Sequence, residues 1–198
     1  MIETLINLSG GIDSTYYTWR YTQENKDIGV LIHNMIFPNT SRNRLELKSV
    51  YATLRWLDKI EHEYKFVQSE LNYKDLTKIH DVETVGHMIG VIFRDTKSYP
   101  DLKNSLVSTC LEEISTDSDR SRVRAQIATI IAGREINFMP CYKSVSKAEM
   151  YFSLPEELRN YVWYCRFPRR GSPCGACPTC KLFKDSLKNY NLNSNANT

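Results

Sequence analysis

Two clusters in this chain have residue types and spacing that can do chemistry. The first is Ser9-Gly10-Gly11-Ile12-Asp13-Ser14. Paired glycines let a backbone turn tightly and aim several N–H groups at one point, and the hydroxyls of Ser9 and Ser14 add donors. A helix starting here would contribute its unpaired N–H groups and positive dipole end. Together these make a cradle for phosphate or pyrophosphate. Asp13 would repel a bare phosphate. It suits a helix cap, or a direct or indirect ligand of Mg2+ riding on the phosphates. The loop lacks the terminal Gly-Lys-Ser/Thr of one nucleotide loop and the G-x-G-x-x-G of another. The plain alternative is an ordinary capped turn between strand and helix.

The second cluster is Cys165, Cys174, Cys177 and Cys180, four of the six cysteines, within sixteen residues. Two-residue gaps let neighbouring thiolates share one ion, and Pro168, Gly171, Pro173, Gly175 and Pro178 supply the turns of a knuckle. Four soft ligands suit a closed tetrahedral zinc site with a structural role. An iron–sulfur cluster is the rival, because overlapping C-x2-C pairs also serve those. Arg166, Arg169 and Arg170 can offset the charge of four thiolates. Cys110 and Cys141 lie in apolar stretches and read as buried small hydrophobes. The four histidines show no ligand spacing.

The elements that must position these clusters follow from periodicity. Thr4–Leu8 reads as a buried strand running into the glycine turn, and Ser14–Gln23 as a helix. Ile28–Phe37 is near-continuously apolar, as a parallel strand covered on both faces should be. Ser41 suits an N-cap, with Leu45, Val50, Leu54 and Leu57 at helical spacing behind it. Tyr64–Gln68 is a third strand. This β-α-β-α-β order predicts an α/β fold: a Rossmann-like parallel sheet flanked by helices. Farther on, Met88–Phe93 reads equally as a strand or as part of a helix from Glu83. Asp101–Ile114 and Asp119–Gly133 read as helices and Ile136–Tyr142 as a strand. Ser146-Lys147-Ala148-Glu149 has capping-box spacing, and Pro155 starts a further short helix. Residues 1–188 read as a single domain that includes the zinc-binding segment 163–183. The polar stretch 189–198 reads as a disordered tail.

The chain has 198 residues, enough for one ordinary domain with a real core. Its 25% charged and 41% hydrophobic residues exclude a fibrous or disordered class. No apolar run approaches the ~20 residues of a membrane-spanning helix. The N-terminus carries no export-signal pattern, so the cytoplasm is the expected location. A formal net charge of +3 is too balanced to argue for nucleic-acid binding.

With both clusters in place, the chain resembles the PP-loop ATP pyrophosphatase superfamily, marked by SGGxDS after the first strand. Within it, the resemblance is to the 7-cyano-7-deazaguanine (preQ0) synthases. It is carried by SGGIDST at 9–15, SYPDLK at 98–103, Ser146–Met150, Trp163-Tyr164-Cys165 and CGACPTC at 174–180. The resemblance implies an adenine nucleotide alpha hydrolase-type sheet with a C-terminal zinc knuckle. ATP with Mg2+ would bind Ser9, Gly10, Gly11, Ile12, Asp13, Ser14 and Thr15. Asp13, Ser14 and Lys147 would be catalytic, and Zn2+ would sit on Cys165, Cys174, Cys177 and Cys180. Tyr99 and Asp101 would bind the base. Asp101 serves equally as a helix N-cap, and Lys147 equally as a solvated first-turn lysine.

The implied reaction joins 7-carboxy-7-deazaguanine to ammonia. The carboxylate attacks the α-phosphate of ATP, pyrophosphate leaves, ammonia converts the acyl-adenylate to an amide, and a second activation dehydrates the amide to the nitrile. The implied partners are these small molecules, with a homodimer among the expected states and neither membrane nor direct nucleic-acid contact. The pattern also departs from the family. Phe37-Pro38-Asn39 replaces a Tyr-Gly-Gln, the Arg42-Asn43 pair sits elsewhere, Phe183 stands where an arginine is usual, and the chain is short. A compact, divergent chain would suit a viral copy working in a host cytoplasm. Two alternatives stay open: another PP-loop enzyme that adenylates a tRNA base or small carboxylate, and a non-catalytic, zinc-stabilised nucleotide-binding relic.

Overall fold

A computed structural model describes residues 1–72, 81–108, 111, 114–141 and 144–196. Five strands form one parallel sheet: β1 (Ile2–Asn7), β2 (Gly29–Ile36), β3 (Tyr64–Glu70), β4 (Asn104–Ser108) and β5 (Asn137–Cys141). Their spatial order is β3-β2-β1-β4-β5. The chain builds outward from β1 to β3, then returns to β1's other side. The order therefore reverses between β1 and β4, and in open parallel sheets ligands bind beyond the C-terminal strand ends at such a point.

The helices are α1 (Ile12–Glu24), α2 (Asn43–Lys59), α3 (Asp81–Arg94), α4 (Ile114–Ala132), α5 (Lys147–Ser153), α6 (Glu156–Arg159) and α7 (Pro178–Ala196). Strand side chains alternate between the sheet's faces, so neighbours feed separate cores. Ile6 and Ile32 join Tyr16, Leu57, Met150 and Phe183 on one face. Leu5 and Leu31 join Ile89, Phe93, Leu102 and Ala128 on the other. The second layer depends on close approach of α3 to α4. A Cβ at Gly90 would lie 2.5 Å from Ile131 Cβ and 2.7 Å from Ala128 O.

The sheet and its flanking helices match the expected α/β class, and Met88–Phe93 proves to be helix. The helix expected over 101–114 is, over 101–108, instead a turn followed by β4, and residues 109, 110, 112 and 113 lie outside the described residues. The polar residues of β4 suggested no buried strand, yet Asn104 is satisfied across the sheet. Asn104 Nδ2 donates to Thr4 Oγ1 at 3.4 Å, and Asn137 Nδ2 to Asn104 Oδ1 at 2.8 Å. The expected tail is helical through Ala196, because α7 is anchored upstream by buried Phe183 and Ser186 and by Tyr190 stacked on Phe152. Adding residues to an anchored helix costs little compared with nucleating one. Cys110, Tyr142 and the stretch 73–80 lie outside the described residues, as does the side chain of Cys141. No helix among the described residues is long and apolar enough to cross a membrane.

Candidate active site

The glycine loop leaves β1 at the switch point and is held from three sides. Gly10 adopts φ +81°, and a Cβ there would lie 2.3 Å from the carbonyl oxygen of Glu46 on α2. Both the conformation and the space demand glycine. The Gly10 carbonyl accepts a 3.0 Å hydrogen bond from Trp163 N–H, which fixes the loop to the segment leading into the cysteine knuckle. Inside the loop, Ser14 Oγ lies 3.0 Å from Ser9 Oγ and accepts from Ser9 N–H at 3.2 Å. The buried Ser14 thus knots the turn. Thr15, fully buried, has its hydroxyl 3.5 Å from Ser49 Oγ. Of the hexapeptide, Ser9, Gly11, Ile12 and Asp13 line a cavity of about 170 Å³.

Lys147 enters the same cavity from across the fold. Ser146 caps α5, its hydroxyl accepting from Glu149 N–H at 3.2 Å, so Lys147 is the first helical residue. A cation there faces the positive end of the helix dipole, an unfavourable place. It is nevertheless buried, and its Nζ lies 3.1 Å from Asp13 Oδ2. The ion pair offsets the cost of burying the charge and aims the lysine at the loop. The solvated-lysine alternative is therefore set aside.

Arg42 and Glu46 form the opposite wall, 3.2 Å apart as an i,i+4 pair near the start of α2. The sequence pattern alone assigns neither of them to the site. They also border a second, more apolar slot of about 80 Å³ with Leu8, Met35, Phe37 and His33. His33 is buried between Asn7 and Ser69. Its Nδ1 lies 2.9 Å from Asn7 Oδ1, an acceptor, so Nδ1 carries the proton and Nε2 accepts from the Ser69 hydroxyl at 2.8 Å. Burial lowers its pKa to about 4, so the ring is neutral. A polar, cation-bearing cavity joined to an apolar slot is suited to a nucleotide, with phosphates in the first and base in the second.

The cysteine knuckle closes the cavity's remaining side, where Cys165, Arg166 and Thr179 form part of the wall. The sulfurs of Cys165, Cys174, Cys177 and Cys180 all lie within 4.8 Å of one another. Cys174 and Cys180 are 3.9 Å apart. Four sulfurs at ~2.3 Å from one tetrahedral zinc stand about 3.8 Å apart, so the spacing fits a single ion. An iron–sulfur cube interposes its own irons and holds its cysteines farther apart. N–H groups of Cys174 and Cys177 point at the sulfurs of Cys165 and Cys174 at 3.2 and 3.3 Å. Burial pushes Cys180 up to about 12. Cys177, although burial raises it, is brought down to about 5 by the Thr179 hydroxyl and backbone donors. Arrayed N–H and O–H groups around sulfur favour thiolates, the form that binds metal.

Tyr99 and Asp101 are not brought to this site. They precede β4, whose Asn104 pairs with Thr4 of β1. They therefore lie at the N-terminal edge of the sheet, opposite the loop. Asp101 is exposed there, and Tyr99 packs against the α3–α4 core layer.

No family model matches the sequence, and no curated protein matches it. Among solved structures, the U34-tRNA thiolase NcsA from Methanococcus maripaludis, with its [4Fe-4S] cluster, superposes with a TM-score of 0.50 at 14% identity. The alignment covers 98% of this chain and 66% of the thiolase, so this chain spans slightly under two thirds of that protein. The likeness is one of fold: a parallel sheet flanked by helices. An NAD+ synthetase from Burkholderia pseudomallei aligns over 98% of this chain and 80% of its own at 11% identity, but with a TM-score of 0.27. That value adds nothing to the fold assignment.

Proposed function

We propose that this chain is an ATP-dependent enzyme that adenylates a small carboxylate and passes it to ammonia. Its proposed substrate is 7-carboxy-7-deazaguanine and its product 7-cyano-7-deazaguanine. The observation that carries the reading is the Lys147–Asp13 ion pair, 3.1 Å long, set in the wall of the glycine-loop cavity. The substrate assignment rests on the resemblance at 9–15, 146–150, 163–165 and 174–180.

In this reading adenine occupies the slot beside His33 and Phe37, and the phosphates lie along Ser9, Gly11 and the start of α1. Lys147 and Arg42 offset charge on the α-phosphate and on the leaving pyrophosphate. Asp13 orients Lys147 and presents an oxygen to Mg2+. The carboxylate oxygen attacks the α-phosphorus, and the bond to the bridging oxygen of pyrophosphate breaks. Ammonia displaces AMP to give the amide. In a second round the amide oxygen is adenylated, and loss of AMP and a proton leaves the nitrile. These steps require positioning and charge relief rather than a nucleophilic side chain. Cys165, Cys174, Cys177 and Cys180 would hold Zn2+ and so brace the Trp163 segment, whose N–H binds Gly10 O.

The deciding experiment measures pyrophosphate release from ATP with 7-carboxy-7-deazaguanine and ammonium. Release dependent on both is expected. ATP binding without release on any deazapurine carboxylate would sink the reading. A second reading, adenylation of a tRNA base, is supported by the presence of Cys165 in the cavity wall, which sets the cysteine knuckle beside the glycine loop. Release that required tRNA and ignored the carboxylate would select it.

A further inference from the structure

The overall charge balance conceals a local imbalance. Between Glu157 and Asp185 the sequence holds no acidic residue and six basic ones: Arg159, Arg166, Arg169, Arg170, Lys181 and Lys184. Three of these flank an exposed aromatic, Phe167, which is 65% accessible. The segment is shaped as a prong. Arg169 and Ser172 exchange both backbone hydrogen bonds, at 2.9 and 3.0 Å, around the two-residue turn Arg170-Gly171. Both turn residues have positive φ, +50° and +81°, as a type I′ hairpin requires. Asn, Asp or Gly is the relaxed choice for the first position, so arginine is held at the tip against its backbone preference. At the prong's base, Arg166 lines the nucleotide cavity. On the other side of the knuckle, Lys181, Lys184 and Lys188 recur at i, i+3 and i+7 along one face of α7, and all are exposed.

Charge compensation of the thiolates does not account for this shape. It needs neither a strained arginine at an exposed tip nor a bare phenyl ring between arginines. We propose that the prong Arg166–Ser172 docks a single-stranded stretch of RNA, with Arg166, Arg169 and Arg170 on phosphates and one base stacked on Phe167, beside the cavity mouth. Arginine–aromatic combinations recognise unpaired nucleotides because every phosphate is anionic and every base has a π-face. RNA is the occupant favoured because folded RNA displays unpaired bases in loops and bulges, whereas duplex DNA hides them. An acidic peptide matches the charge but leaves Phe167 without a partner. The inference goes beyond the proposed reaction and does not depend on it.

The test is fluorescence anisotropy of the full chain with a labelled RNA of about 12 nucleotides, within the range of single-strand site sizes. ATP is left out, so failure here is separable from failure of the enzymatic reading. Three arginine–phosphate contacts predict a salt slope of about −2, that is, roughly 20-fold weaker binding at 200 mM than at 50 mM salt. Arg169→Ala with Arg170→Gly should cut that change to roughly threefold. Phe167→Ala should weaken binding about tenfold or more with the slope retained. Metal content should be unchanged in all three substitutions and Tm should not fall, since none of these side chains lies in the core and glycine relaxes the left-handed backbone at 170. Binding of the variants like the parent, equal affinity for duplex DNA of the same sequence, or equal displacement by a polyglutamate peptide would each overturn the proposal.

Discussion

Lys147 Nζ and Asp13 Oδ2 stand 3.1 Å apart although their elements are separated by more than a hundred residues of chain. The pair joins α5 to the start of α1 at the sheet's switch point. Lys147→Met removes the cation and leaves the Asp13 carboxylate in the cavity wall. The expected result is a fall in kcat for pyrophosphate release of about 10²–10³, the scale for losing one charge-stabilising donor. Lys147→Arg should restore only part of it, since a planar fork does not replace a point charge in a tight site. A Lys147→Met enzyme with unaltered kcat would remove the lysine from the mechanism.

The contact of Gly10 with Glu46 O makes a second prediction. Gly10→Ala must shift α2 or the loop, because the methyl group would meet backbone at 2.3 Å. The left-handed φ alone costs about 1–2 kcal/mol. With the clash added, a loss of roughly 3 kcal/mol is expected. For a chain of this size that is about 6–12 °C in Tm. A thermal melt reads it directly. Gly11→Ala is the control: its φ is −75° and its nearest contact is the Ser9 hydroxyl oxygen at 3.4 Å, so its Tm should move far less.

At the knuckle, four sulfurs within 4.8 Å predict one bound ion per chain. Metal analysis should find about one zinc, without the visible absorption of an iron–sulfur cluster. Cys177→Ser should lose most of the metal, and a chelator should lower the Tm of the parent while leaving the variant almost unmoved. The reason is that binding energy at a structural site is folding energy. Because Trp163 N–H holds Gly10 O, loss of the ion should also raise the KM for ATP.

What was legible in the sequence follows a physical division. The loop 9–14 and the cysteine spacing are local patterns, and strands β1 and β2 are apolar runs that announce themselves. Three features were not legible, each for a non-local reason. Strand β4 carries Asn104 and Ser105, and Asn104 finds its partners only on Thr4 and Asn137 of neighbouring strands. Tyr99 and Asp101 matched a short motif, but whether they lie at the C-terminal or N-terminal edge of the sheet depends on where the next strand begins. Arg42 and Glu46 became site residues only when α2 folded back over Gly10.

His33 gives a pH prediction with a definite sign. In the fold, burial lowers its pKa from 6.5 to about 4, so the native state prefers the neutral ring. As pH falls below 6.5 the unfolded chain binds the proton first. Stability that is complete above 6.5 is therefore lost progressively down to about 4. The scale is about 3 kcal/mol. Denaturant unfolding at pH 7 and pH 4.5 should show this loss, and His33→Asn should flatten it. An unchanged slope in the variant would mean that other groups carry the acid sensitivity.

Asp101 supplies the sharpest contrast between motif and position. A carboxylate that recognises a guanine-like edge must reach the cavity between the glycine loop and the knuckle. Asp101 stands three residues before β4, and Lys103 N–H, two residues on, donates to Glu3 O at 3.0 Å, near the start of β1. The whole height of the sheet separates it from Asp13, which follows the other end of β1. Asp101→Ala is therefore expected to leave kcat and KM for the carboxylate unchanged, and to alter stability by no more than about 0.5 kcal/mol, as for other exposed sites. The informative comparison is Arg42→Ala, which changes a residue on the cavity wall and should impair turnover. If Asp101→Ala instead raised KM for the base while sparing KM for ATP, the base would have to bind at the N-terminal edge of the sheet, and the placement of the substrate beside Lys147 would be wrong.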